Sequence, residues 1–168
     1  MLRQFYKSLK RGIVTVPAPK PSEEALAELA RQVDRASRVK LGRSLCIREV
    51  DAGSCNGCEL EIHAVNNAVY DLERFGIRFV ASPRHADVLL VTGPVTVNMR
   101  EALRRVYDAT PDPKWVVAVG DCALNGGIFA GSYAVAGGVK DVLPVDIHIR
   151  GCPPTPTQLL EGLLALLG

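Results

Sequence analysis

Residues 88–91 (VLLV) and 116–119 (VVAV) are apolar at every position. That pattern suits parallel strands covered on both faces, because a strand with one wet side alternates apolar and polar residues. Around these runs the sequence alternates short apolar stretches with helix-periodic ones. Strands are expected at CIREV (46–50), IRFVA (77–81), DVLLVTG (87–93), WVVAVG (115–120) and VDIHI (145–149). Helices are expected over about 58–74, 97–109 and 155–167, with a short turn after residue 122. The alternation predicts an α/β fold in residues 44–168: an open, doubly wound, mostly parallel sheet.

Ahead of that domain the sequence divides into two parts. Residues 22–43 form an N-terminal helix and linker, in which Ser22 can cap a helix over 22–36 with Leu26, Leu29, Ala30 and Val33 on one apolar stripe. Residues 1–21 read as an arm. Leu2, Phe5, Tyr6, Leu9 and Ile13 recur at helical spacing between Arg3, Lys7, Lys10 and Arg11, followed by the proline-rich spacer VPAPKP (16–21). A basic amphipathic helix of this kind suits a membrane surface, a partner's groove, or packing on its own domain.

Several function classes drop out on composition. A net charge of +2 with 5% aromatic residues gives no footprint for nucleic acid. No apolar run approaches the roughly 20 residues that span a bilayer, and no secretory signal is apparent. The expected location is therefore the cytoplasm or its face of a membrane. In a reducing compartment the five cysteines are metal ligands, catalytic thiols or buried apolar residues rather than disulfides.

Four of them fall in a pattern. Cys55 and Cys58 (SCNGC) follow the strand ending at Val50, Cys122 follows WVVAVG, and Cys152 follows VDIHI. The carboxyl ends of parallel strands share one edge, where ligands bind. Four thiols from three distant segments are thus expected to converge. Four thiolates suit zinc or a [4Fe–4S] cluster. Structural zinc sites usually draw on closely spaced pairs, whereas Cys122 and Cys152 stand alone, and a cubane can be held by scattered loops. Gly57 lets the chain turn close to inorganic sulfide, and Pro153 after Cys152 matches a Cys-Pro that closes many iron–sulfur motifs. The cluster is the favoured reading; zinc and unliganded thiols are the alternatives. Cys46 begins its strand at the opposite end of the sheet and is expected to be a buried structural residue.

SCNGCELE, SPRHADVLLVTGPVT, VGDCALNGGIF and VDIHIRGCPPTP together resemble the small subunit of membrane-bound energy-converting [NiFe] hydrogenases, including formate hydrogenlyase, and the 20 kDa subunit of respiratory complex I. The resemblance spans roughly residues 44–168. It implies a flavodoxin-like sheet carrying one proximal [4Fe–4S] cluster on Cys55, Cys58, Cys122 and Cys152. The Cys55-Asn56-Gly57-Cys58 spacing and GPVTVNM (93–99) look like the hydrogenase branch, since complex I subunits carry adjacent cysteines at the first motif. With the chain ending at Gly168, a single cluster is expected. The implied role is electron transfer between a [NiFe] large subunit and a ferredoxin-like iron–sulfur subunit, within an oxidoreductase complex that includes antiporter-like membrane subunits. The nickel–iron centre would reside in the large subunit. A complex I-like quinone reductase subunit, or a related complex without nickel, is the alternative.

Other residues carry weaker signals. Glu59 and Glu61 follow the CxxC pair, where a carboxylate tunes a nearby cluster or relays protons, or simply favours a helix N-terminus. His63 is expected to be packed or solvated. His148 is a candidate for the cluster's surroundings. The sheet places Arg84 and His85 at the far edge from the thiols, while the resemblance associates their segment with a partner near the membrane arm. GGIFAGSYAVAGG (126–138) lacks the order and context of a nucleotide loop, and its glycines suit close approach to a cluster or a large subunit.

Overall fold

A computed structural model of the chain describes residues 23–168; the expected arm at 1–21 lies outside them. Helix α1 (Glu23–Leu41) leads into strand β1 (Cys46–Asp51), helix α2 (Gly57–Ala64), β2 (Arg78–Phe79), β3 (Val88–Thr92), β4 (Val95–Thr96) and α3 (Met99–Ala109). There follow β5 (Trp115–Val119), α4 (Asp121–Asn125), β6 (Val135–Gly137), β7 (Ile147–Ile149) and α5 (Pro156–Leu167).

Five strands form one sheet in the order β2-β1-β3-β5-β7. Every pairing in it is parallel, with Val50 opposite Val91 and Val91 opposite Ala118. The two faces of β3 go to different cores. Val88 and Leu90 pack with α1, α2 and α5 through Val33, Ile62 and Leu160. Leu89 and Val91 pack on the other side with Leu103 of α3 and Ala123 of α4. Burial on both sides is why the apolar run is continuous. The sheet is doubly wound, as the alternation predicts.

Helix α1 buries Leu26, Ala30 and Val33 along one stripe against α5. It runs past Ala36 to Leu41, where Gly42 in the left-handed region (φ +69°) ends it. Helix α5 starts at a capping box: Thr155 Oγ1 accepts from the Gln158 amide, and Gln158 Oε1 accepts from the Thr155 amide.

Several details differ from the sequence expectations. The helix expected over 58–74 stops at Ala64, because Asn67 Oδ1 accepts from the amides of Val69 and Tyr70 (2.8 and 3.0 Å) and turns the chain into a 3₁₀ segment at Leu72–Phe75. The strand expected at 77–81 pairs only over Arg78–Phe79. Within the glycine-rich stretch, β6 forms an antiparallel ladder with β4, absent from the expected element list.

At the amino-terminal edge, Cys46 is half-buried rather than enclosed. Its amide donates to Asp87 Oδ2 at 2.9 Å, and Arg43 Nη1 donates to the same oxygen at 3.2 Å. Asp87 is itself buried, so one carboxylate ties β1 to the start of β3.

Candidate functional site

The turn after β1 is shaped by its own last residue. Asp51 Oδ1 accepts from the amides of Gly53 and Ser54, both at 2.7 Å, and Ser54 Oγ accepts from the Asn56 amide at 3.0 Å. Asn56 then takes a left-handed conformation (φ 70°) just before α2. These bonds bring Cys55 and Cys58 to the carboxyl edge of the sheet. The Gly120 amide donates to the Ile149 carbonyl at 2.8 Å, the Asp121 amide to the Gly151 carbonyl at 2.9 Å, and the Gly151 amide to Asp121 Oδ1 at 3.1 Å. The loops bearing Cys122 and Cys152 are thereby stitched together.

The result is one small cavity of about 90 Å³ lined by Cys55, Cys58, Cys122 and Cys152, with Ser54, Gly57, Gly93, Asp121, Gly151 and Pro153 completing its wall. Cys55 and Cys152 are exposed, and Cys58 and Cys122 half-buried. Two glycines press on the sulfurs. A β-carbon at Gly120 would meet Cys58 Sγ at 2.7 Å, and one at Gly127 would meet Cys122 Sγ at 2.7 Å. Among the described residues, no three His, Cys, Asp or Glu side chains close to the spacing of a single metal ion.

Burial pushes the Cys58 thiol up to about 12, with Glu59 and the other three cysteines adding to the rise. Burial also raises Cys122, against the pull of the Ile128 backbone amide. Without a cation beside them, Cys58 and Cys122 therefore resist ionising. A positively charged group that accepts sulfur ligands reverses that preference, since its ligands must be thiolates. The all-sulfur donor set and the shared cavity fit a [4Fe–4S] group.

The remaining sequence candidates fall in distinct places. Gly57 lines the cavity. His148 does not line it; its Nε2 lies 2.9 Å from the Gly120 carbonyl oxygen, holding the glycine that packs on Cys58. Glu59 is 5% exposed, and neither of its carboxylate oxygens has a hydrogen-bond partner. A helix-start role alone does not account for that burial. Arg84 and His85 sit exposed on a 3₁₀ turn that Ser82 caps, at the opposite edge of the sheet. His63 is exposed and borders a separate cleft of about 250 Å³ with Arg48, Glu49, Asn66 and Phe79. Sequence reasoning missed Asp51 and Asp121, whose carboxylates shape the ligand-bearing loops. A hydrogen-bonding side chain at a strand end beside glycine was the available signal.

The profile of the family described as NADH ubiquinone oxidoreductase, 20 Kd subunit, matches residues 55–166. Formate hydrogenlyase subunit 7 of Escherichia coli is 44% identical over 153 residues, which are 91% of this chain and 58% of that protein. The chain thus spans little more than half the length of this relative. A probable membrane-bound hydrogenase subunit from Pyrococcus furiosus is 47% identical over 127 residues, 76% of each chain. Among solved structures, a chain of the membrane-bound sulfane sulfur reductase, an archaeal respiratory membrane complex, superposes with a TM-score of 0.66 at 36% identity, covering 82% of this chain and 73% of that one. A chain of an NAD⁺-reducing [NiFe]-hydrogenase shares the fold, with a TM-score of 0.57 at 22% identity over 74% of this chain and 92% of that one.

Proposed function

The chain belongs to the NADH ubiquinone oxidoreductase 20 kDa subunit family, and we propose that it is the electron-transfer small subunit of a membrane-associated [NiFe] hydrogenase complex. In this reading Cys55, Cys58, Cys122 and Cys152 hold the proximal [4Fe–4S] cluster, which supplies one-electron transfer when bound. The single observation that carries it is that these four thiols, from three strand ends, line one cavity. Cys122 and Cys152 also stand alone in the sequence, unlike the closely spaced pairs of structural zinc sites, which favours a cubane.

This chain's own residues place and tune that group. Gly120 and Gly127 leave room beside the sulfurs, His148 fixes Gly120, and the Asp51 and Asp121 carboxylates hold the loops. The electron partners are a [NiFe] large subunit and a ferredoxin-like subunit, with antiporter-like membrane subunits using the released free energy to move ions. The subunit sits peripherally on the cytoplasmic face of the membrane. The hydrogenase relatives support this reading, and among the described residues no helix is long and apolar enough to cross a membrane.

A second reading, a related complex without nickel, draws support from the 36% identity to a chain of a sulfane sulfur reductase complex. The assembled complex, purified anaerobically, separates the two. Hydrogen-dependent dye reduction together with nickel in the preparation supports the hydrogenase. Iron and sulfide with an electron paramagnetic resonance signal, but without nickel or hydrogen activity, supports the second reading. A preparation without iron sinks both.

A further inference from the structure

The four cysteines of the cavity fall into two pairs by position. Cys55 and Cys152 are exposed, and Cys58 and Cys122 are half-buried. The exposed pair shares one lip. A β-carbon placed on Gly57 would lie 3.5 Å from Cys55 Sγ and 3.9 Å from the ring of Pro153, the residue after Cys152. Pro153 is itself exposed, so the lip opens to solvent. Bonds within the chain set its shape before any ligand arrives. Asp51 Oδ1 holds the Ser54 amide at 2.7 Å, Ser54 Oγ holds the Asn56 amide at 3.0 Å, and Asp121 Oδ1 holds the Gly151 amide at 3.1 Å. A pair of thiols fixed in this way binds with less ordering to be done at the moment of contact.

The other pair belongs to the inner wall. Cys58 packs against the core that holds Ile62 and Leu160. Its thiol donates to the Val119 carbonyl at 3.9 Å, and Gly120 presses on the same sulfur. Cys122 lies in the first turn of α4, where Gly127 leaves no room for a β-carbon beside its sulfur. The Ile128 backbone amide hydrogen-bonds to that sulfur as well. Backbone thus backs both inner sulfurs, and they are approached from the cavity side. An incoming group meets Cys55 and Cys152 before it meets Cys58 and Cys122.

We propose that Cys55 and Cys152 are the capture pair of this site: they take a [4Fe–4S] group from a thiolate-bearing carrier, and Cys58 and Cys122 bind it afterwards. The inference rests on the function proposed above and adds the class of reaction that must supply the group, which is thiolate exchange. In each exchange an iron–sulfur bond to the carrier breaks as a bond to a cysteine of this chain forms. The cysteine binds as thiolate, and its proton leaves with the carrier's thiolate. Iron and sulfide keep their oxidation states, so the step consumes no oxidant or reductant. Two bonds at the lip hold the group beside the inner thiols, and the later exchanges become intramolecular, with a high effective concentration. The lip and the inner wall therefore have separate tasks. The first decides how fast the site fills, and the second decides how long it stays filled.

The test uses the full chain, stripped of iron anaerobically with a chelator, and a synthetic [4Fe–4S] cluster held by 2-mercaptoethanol thiolates. The free cluster is achiral, so visible circular dichroism reports only what the chain has captured. Cys55→Ala and Cys152→Ala are expected to slow capture by ~10-fold or more, because each leaves a single thiol at the lip. Cys58→Ala and Cys122→Ala capture at about the wild-type rate, then lose iron on gel filtration where wild type keeps it. Equal slowing in every variant, or slowing confined to the inner pair, overturns the proposal. Where an alanine variant lacks the native far-ultraviolet spectrum, the folded wild-type chain is blocked at Cys55 and Cys152 with methyl methanethiosulfonate, and peptide mass mapping verifies the sites. Capture that vanishes on blocking and returns with dithiothreitol supports the proposal. Capture that proceeds on the blocked chain overturns it. A wild-type chain that takes up no cluster at all instead defeats the functional reading on which the proposal rests.

Discussion

Gly120 packs directly against the Cys58 thiol, so closely that a β-carbon there would come within 2.7 Å of the sulfur. Its backbone (φ 84°, ψ 161°) also lies in a region that residues with side chains rarely enter. Gly120→Ala therefore carries two penalties, a backbone cost of roughly 1–3 kcal/mol and a displaced ligand. The expected outcome is a protein with native far-ultraviolet circular dichroism, a lower thermal midpoint and most of its iron lost. Full iron content in Gly120→Ala would show that the loop relaxes without moving Cys58.

The cysteines divide by position. Serine at Cys122 or Cys152 removes one thiolate from the cavity, and each change is expected to abolish or transform the paramagnetic signal of the reduced protein. Serine at Cys46, at the other edge of the sheet, leaves iron content and signal unchanged. Anaerobic iron and sulfide analysis of the three variants side by side checks this, and equal iron in all of them contradicts the assignment.

Glu59 gives a subtler readout. Its carboxylate is buried, adjoins Cys58 in the chain and has no hydrogen-bond partner among the described residues. Glu59→Gln keeps the shape and removes the capacity for negative charge. A negative charge near a redox group favours its oxidised form, so the midpoint potential should rise by an amount on the order of tens of millivolts. A redox titration followed by paramagnetic resonance measures it. An unmoved potential leaves Glu59 with packing alone.

The legible parts of this molecule were those written in consecutive residues. VLLV and VVAV are buried on both faces, and that demand appears in every letter. The convergence of four cysteines followed from their places after strand ends, once the sheet was parallel. What could not be read depends on bonds between distant or single side chains. Asn67 ends α2 through its own amide oxygen, although the residues beyond it continue a helical pattern. The β4–β6 ladder pairs Val95 with Gly137 across a long excursion, through a segment whose glycines read as loop. For Glu59 the sequence left a role beside the cluster and a plain helix-start role both open, because burial is a property of the packed fold.

Burial also makes Glu49 sensitive to pH. Desolvation raises its carboxyl above the usual range, although His63 acts in the opposite direction. A carboxyl raised on folding contributes stability that is fully present below the unfolded value and is lost as pH rises through the folded one. Wild type is therefore penalised at neutral pH, and Glu49→Gln is not. In urea unfolding of the loaded protein, the variant should be the more stable at pH 7. The gap should narrow as pH falls toward 4.5, the value the group has before burial. A gap that widens on acidification contradicts the assignment.

Asp87 provides the test of how the far edge of the sheet is held. The residue is 2% exposed, and its carboxylate accepts from the Cys46 amide and from the Arg43 guanidinium. The guanidinium end is largely exposed, so the ion pair itself contributes little. The larger loss in Asp87→Ala is the part-buried Cys46 amide left without an acceptor, together with a cavity between β1 and β3. Those two costs sum to roughly 2–4 kcal/mol. Asp87→Asn keeps an oxygen for the Cys46 amide and should lose clearly less than Asp87→Ala. Arg43→Ala, which spares the amide bond entirely, should cost less than 1 kcal/mol. Chemical unfolding of the three variants orders these contributions, and a larger loss for Arg43→Ala than for Asp87→Ala would assign the stability to the ion pair instead.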